Sequence, residues 1–181
     1  AFNVLSKILP GDAIWLTSDL SRAKLTAQSI AKAGLTFPEP IVEKDLGEQD
    51  FGYWQGSSWD EMEASDPSAY EKFWEEPARN APPGGESFED LIYRTSEVIK
   101  RYTLEHPGKE IVAVCHGGTI RGAVAYTLGL SPELGMSFSI DTLSITRLEH
   151  VEDRLLRGKG SAWRIVGINQ PTHTRVDGII R

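Results

Sequence analysis

Two kinds of apolar spacing alternate along the chain. Ala13-Ile-Trp-Leu-Thr17 and Ile111-Val-Ala-Val-Cys115 are short apolar runs without alternation. Such runs mark strands covered on both faces, the habit of parallel sheets. Around them, apolar residues return every three or four positions, as on an amphipathic helix. Phe2 to Leu9 reads as the last turns of a helix, stopped by Pro10-Gly11. Ser18 or Asp19 introduces a helix over 21–33, closed by Gly34. A long helix is predicted over 86–105, with Phe88, Leu91, Ile92, Thr95, Val98, Ile99 and Tyr102 on one face and His106-Pro107-Gly108 ending it. Ile120, Ala123, Val124, Thr127 and Leu128 place another from Thr119 to Leu128. Ile41-Val42 begins a strand, and 139–146 and 163–167 read as strands toward the sheet edge. The stretch 47–85 is a long excursion with short helices expected near 59–64 and 68–74. This alternation, without internal repeat or linker, predicts a single α/β domain over 1–181. Its expected architecture is a three-layer α/β/α sandwich with a mainly parallel central sheet.

Composition narrows the function classes. The 181 residues are 40% hydrophobic and 25% charged, ordinary for a globular chain, and the net charge of -7 argues against nucleic-acid or anionic-membrane partners. An anionic small substrate stays compatible, because a basic pocket can sit within an acidic surface. The single cysteine, Cys115, forbids an internal disulfide and reads as a packed core thiol in its apolar strand. No apolar run approaches membrane-spanning length, and the first residues are no signal peptide; a cytoplasmic address is expected.

Candidate chemistry sits where strands end. His116-Gly117-Gly118 follows an apolar strand and opens a helix. A strand's carboxyl end beside a helix amino terminus presents unpaired N–H groups and positive dipole to an anion. His116 either caps the strand or donates to a bound phosphate. Arg22 repeats the geometry after Ala13–Thr17, in a first turn where its charge opposes the dipole unless an anion is present. It reads either as a solvated residue or as a guanidinium gripping phosphate oxygens. Glu48 follows a strand and lies among glycines and aromatics. Partly apolar surroundings raise a carboxyl pKa, so such an acid can hold a proton for a leaving alkoxide.

Four segments in order resemble the histidine phosphatase superfamily, which includes cofactor-dependent phosphoglycerate mutases. They are Ser-Asp-Leu-Ser-Arg22-Ala-Lys-Leu-Thr-Ala, Leu-Gly-Glu48-Gln-Asp-Phe-Gly-Tyr-Trp-Gln-Gly, Pro83-Gly-Gly-Glu-Ser87 and Cys-His116-Gly-Gly-Thr-Ile-Arg. The resemblance implies phosphoryl transfer through a phosphohistidine. His116 and Arg22 would clamp the equatorial oxygens, Gly117 could offer a backbone N–H to the same phosphate, and Glu48 would protonate the leaving oxygen and later activate water. It implies no cofactor and no metal, and His106, His116, His150 and His173 lack metal-ligand spacing.

The family's nucleophile lies in an Arg-His-Gly motif ending a first strand, and this chain contains no Arg-His-Gly. His106 reads as a helix-ending residue, and His150 and His173 lie in late polar stretches. The expectation is therefore a first strand, with the attacking histidine, upstream of Ala1. A phosphate-binding pseudophosphatase is the alternative. Where mutases carry arginines that hold the substrate carboxylate, this chain has Phe73-Trp74-Glu75-Glu76-Pro77, and Phe51 stands where they carry a tyrosine. Hydrolysis of a small phosphomonoester is expected over mutase chemistry. The segment from Phe73 to Ser87 looks like that of α-ribazole phosphatases, and the sequence leaves a broad sugar or nucleotide phosphatase equally open. Tyr53, Trp54, Trp59, Phe73 and Trp74 would either wall a ring substrate or pack the excursion onto the sheet. The sequence leaves homo-oligomerisation open.

Overall fold

Trp15, Leu16 and Thr17 are almost wholly buried, as a strand sandwiched between layers requires. In the computed structural model, which describes residues 1–152 and 162–172, they lie on β1 (Ile14–Thr17). This strand runs parallel to β2 (Ile41–Val42) on one side and β3 (Ile111–Val114) on the other. Leu16 and Thr17 are the common points of register, Leu16 opposite Ile41 and Ala113, and Thr17 opposite Val42 and Val114. Strand alternation then sorts the side chains between two helical layers.

On one face, Ala13 and Trp15 meet Leu5 of α1 (Phe2–Ile8) and Ile30 of α2 (Ser21–Lys32), with Val112 and Val114 packed alongside. Phe37 stacks on the Trp15 indole at 3.8 Å between ring centroids. On the other face, Leu16 meets Leu46 and the Val98 and Tyr102 side chains of α5 (Phe88–Glu105), with Ile14, Ile111 and Cys115 beside them. Against α5 lies α6 (Gly117–Leu128), so the three-layer expectation holds. The sequence boundaries of these helices shift slightly. Ser87 caps α5 in a reciprocal capping box with Asp90, so Glu86 stays outside the helix. Gly117 and Gly118 form the first turn of α6 rather than a turn before it.

The excursion makes its own small core. It carries α3 (Trp59–Ser65) and α4 (Pro67–Glu75), and Trp54, Met62 and Phe73 are buried together between them. Each helix begins at a side-chain cap, Ser58 and Asp66 respectively. A short helix, α7 (Pro132–Gly135), then packs beside α6.

The late strands correct the sequence reading. β4 (Ile145–His150) and β5 (Trp163–Gln170) form a separate antiparallel pair, not the edge of the parallel sheet. The strand expected over 139–146 begins only at Ile145. Before it, the Ser144 N–H donates to the Asp141 carbonyl at 3.2 Å and Leu143 adopts φ 61°, a left-handed turn in place of extended backbone. β3 therefore has a strand neighbour on one side only among the described residues. Its Ala113 is exposed although the strand is apolar throughout. Ile145 and Leu143 nonetheless pack on the same apolar cluster as Val112 and Val114. The open β3 edge and the β4–β5 pair thus border one core without pairing.

Candidate active site

β1 and β3 run parallel, so both deliver the chain to the same sheet edge, and each is followed by a helix starting there. Neither helix caps itself with a side chain. Leu20 precedes α2 and His116 precedes α6, both without a side-chain cap, and neither first turn contains an acid. Two amino termini without a side-chain cap of their own therefore meet at one edge, and α2 adds the Arg22 charge.

His116 is buried and its ring is held from both sides. The Arg22 Nε–H donates to Nδ1 at 3.1 Å, and Nε2 lies 2.7 Å from the Ser18 hydroxyl. Guanidinium nitrogens cannot accept, so Nδ1 is the acceptor and the neutral ring carries its proton on Nε2, facing Ser18. Ser18 is completely buried and also accepts the Leu20 N–H at 3.3 Å. The sequence reading placed Ser18 as a possible helix cap; its hydroxyl instead orients the histidine. Arg22 is exposed beside it, with only one of its donors on His116.

Glu48 closes the third side. Its Oε1 accepts the Gly118 N–H of α6 and its own neighbour's Gln49 N–H, each at 3.0 Å, while Oε2 lies 3.3 Å from Gly118 N. The carboxylate takes the place of a cap for α6, which explains why no acid is needed in that first turn. A Cβ on Gly118 would run into Glu48 Oε1, so this approach requires glycine. Gly118, rather than Gly117, is thus the glycine engaged here; Gly117 begins the helix beside it. Thr119 supports the same loop, its buried hydroxyl donating to the Gly47 carbonyl at 2.7 Å.

The structure brings Arg22, Glu48, His116 and Gly117 to one place. Two of the other histidines lie elsewhere. His106 ends α5 with its ring against Tyr102, and His150 packs edge-on to Trp163 at the end of β4. His173 lies outside the described residues. Burial pushes the Cys115 thiol up to about 12, as suits a core thiol and not a nucleophile. Of the five aromatics considered for a substrate wall, Trp54 and Phe73 are core. Tyr53, at 86% exposure, and the Trp59–Trp74 pair, 5.3 Å apart, face outward. Sequence reasoning missed Ser18 and Thr119 as site residues. A buried Thr-Ser pair ending an apolar strand is the only signal it offered for Ser18.

Burial, then the Arg22 charge, holds the His116 pKa below its usual 6.5. The fold favours the neutral ring, whereas the unfolded chain takes up a proton near that usual value. This contribution to stability is complete above about pH 6.5 and is lost as pH falls through the lower folded value. His116→Gln is therefore expected to lose less stability than the wild type between pH 7 and 5. Urea midpoints across that range check it, and parallel curves for the two proteins would contradict the buried neutral imidazole.

Comparison with known proteins finds phosphatases among the similar chains. A metal-independent phosphoserine phosphatase from Arabidopsis thaliana is 39% identical over 106 residues, covering 58% of this chain and 44% of that protein. The chain spans less than half the length of several curated relatives it matches. Among solved structures, a mycobacterial glucosyl-3-phosphoglycerate phosphatase superposes with a TM-score of 0.74 at 27% identity, covering 94% of this chain and 81% of that one. The α-ribazole phosphatase of Shigella flexneri shares the fold, with a TM-score of 0.77 at 20% identity over 93% of this chain and 80% of that one. The model of the histidine phosphatase superfamily, branch 1, matches residues 1–158, and the chain belongs to that family.

Proposed function

We propose that this chain forms the phosphate-clamping and proton-donating part of a phosphomonoester hydrolase that works through a phosphohistidine. The observation that carries the reading is the meeting of Arg22, His116 and Glu48 where two helix amino termini start at the carboxyl edge of β1 and β3. The phosphatases among its relatives support the same reaction class.

In this reading the phosphate sits over Arg22 and His116. The guanidinium turns its donors to the equatorial oxygens, and the α6 amino terminus, with Gly117, adds a partial positive field. An incoming dianion draws the Arg22 guanidinium off Nδ1 and offsets the charge that disfavours protonated His116, so His116 takes a proton on Nδ1 and donates from there to the phosphate while its Nε2–H stays on Ser18. Glu48 receives its two backbone N–H bonds chiefly on Oε1, which leaves Oε2 to carry the proton. A histidine nitrogen attacks phosphorus, the P–O ester bond breaks, and the Oε2 proton goes to the departing oxygen. Water then attacks the phosphohistidine and gives its proton to the Glu48 carboxylate; the P–N bond breaks and inorganic phosphate leaves.

The attacking histidine, in the same reading, comes on a strand preceding Ala1 that adds to the open edge of β3. Unpaired strand edges are costly, and this one borders a core shared with β4–β5. A parallel strand there would end at the same edge as His116.

Phosphate release from p-nitrophenyl phosphate, measured for the 181-residue chain and for the gene product including any residues encoded before Ala1, tests the reading. Calorimetry with inorganic phosphate accompanies it. The expected result is phosphate binding by both and turnover by the longer protein. Binding without turnover by the longer protein would make it a pseudophosphatase. Isomerisation of phosphoglycerate without net hydrolysis would make it a mutase.

A further inference from the structure

Glu48 lies on a segment, 47–50, with no helix or strand of its own. Something outside that segment must hold its carboxylate within hydrogen-bond reach of Gly118. The best-connected side chain against it is Arg94 on α5, which the sequence reading did not single out. Its Nε and one terminal nitrogen fork onto the Glu86 carboxylate at 2.9 and 2.6 Å. The same terminal nitrogen donates to the Glu48 main-chain carbonyl at 3.0 Å, and the other donates to the Asp45 carbonyl at 2.6 Å. Glu86 completes the tie. Its carboxylate accepts the Asp50 N–H at 3.0 Å, its N–H donates to the Asp50 carbonyl at 2.9 Å, and its carbonyl accepts from the Gln49 side chain at 3.1 Å.

We propose that Arg94 is the positioning residue of the acid: with Glu86 it pins the main chain on both sides of Glu48 and so aims that carboxylate at the phosphate site. The proposal rests on Glu48 being the proton donor. The chemistry favours arginine specifically. A planar fork can hold a carboxylate bidentately and still reach two carbonyls, which a single ammonium cannot. The Arg94 and Glu86 side chains are 19% and 20% exposed, so water screens this pair less than it screens the surface ion pairs of the molecule. General-acid efficiency depends on where the proton is held, and a displacement near 1 Å is enough to lose it. Arg94 touches neither substrate nor reacting atoms; it acts through Glu48.

The Gly118 amide provides a direct readout in the chain as it stands. In the first turn of α6 that N–H has no intrahelical partner, so its protection from hydrogen exchange comes from Glu48. The Ile120 N–H, bonded to the His116 carbonyl at 2.9 Å, reports on the helix itself. Arg94→Ala is expected to speed Gly118 exchange about tenfold or more with Ile120 unchanged, as a local opening does. Arg94→Lys keeps the stem and the charge, and serves if the alanine variant does not fold; it is expected to speed Gly118 as well. Unchanged Gly118 exchange, or equal acceleration of Gly118 and Ile120, overturns the clamp. In the longer, active protein the same variants are expected to lower kcat for an alkyl phosphate about 10-fold or more, with p-nitrophenyl phosphate losing less than about 3-fold, because only the poor leaving group needs the proton. Equal losses on both substrates, with Glu48→Gln still discriminating between them, overturn the positioning role. If Glu48→Gln itself does not discriminate, the reading of Glu48 as donor fails, and the catalytic role of Arg94 falls with it while the exchange result stands.

Discussion

Arg22→Ala is expected to cost about 10²- to 10³-fold in kcat/KM for any phosphomonoester the protein hydrolyses, the scale of losing one preorganised charged donor from a transition-state site. Two effects combine in this residue. The guanidinium supplies donors at the α2 amino terminus, and its Nε–H sets the His116 ring by occupying Nδ1. Removing it leaves the imidazole free to change tautomer and the phosphate without its charged clamp. Arg22→Lys restores charge but not the fork, so it is expected to recover only part of the loss. The fold should be almost indifferent, because Arg22 is exposed and works against the dipole of its own helix in the absence of an anion. A stability equal to or above wild type, together with the loss of rate, is the expected signature. Steady-state kinetics with circular-dichroism melting measures both. An Arg22→Ala protein with unchanged kcat/KM would remove Arg22 from the site.

Glu48→Gln is expected to lower kcat on alkyl phosphates by about 10²–10⁴-fold, the usual worth of a positioned general acid. The amide matches the carboxyl in shape. Its carbonyl can still accept the Gly118 and Gln49 N–H bonds, so α6 keeps its surrogate cap and the structure should be retained. What the amide cannot do is give up a proton to the leaving oxygen or take one from water. The loss should therefore grow as the leaving group becomes more basic, and shrink toward p-nitrophenol. A plot of log kcat against leaving-group pKa should be steeper for the variant than for wild type. A flat difference across that series would assign Glu48 a purely structural part, as the acceptor that caps α6.

Much of the architecture was legible in the residues because it depends on local spacing. Ala13–Thr17 announced a buried strand by its apolar run, and Ile111–Cys115 a strand that is only half-buried in the structure, with Ala113 exposed. Phe88, Leu91, Thr95, Val98 and Tyr102 announced the α5 face that is buried in the structure. The late strands were less legible. The segment 139–144 has an alternation a strand could use, but Asp141 turns the chain and Asn169 binds the Asp141 N–H at 2.7 Å from 28 residues away. No window along the sequence contains that contact. The aromatic excursion was ambiguous for a related reason. Trp54 and Phe73 look no different from Trp59 and Trp74 until α3 and α4 fold over one pair and leave the other at the surface.

The sequence by itself determined the class of the fold, the order of its elements and the residue types available for phosphate chemistry, since periodicity, caps and strand-end glycines are properties of neighbours along the chain. Only the tertiary structure decided what those residues do to one another. Parallel pairing of β1 with β3 carries Ser18 and Arg22 onto His116 across nearly a hundred residues, and that contact sets the ring's proton on Nε2. Packing of α5 on α6 places Arg94 over the acid loop and Glu48 against Gly118. A hydrogen bond requires its atoms within about 3 Å, and chain separation says nothing about that distance until the sheet has closed it.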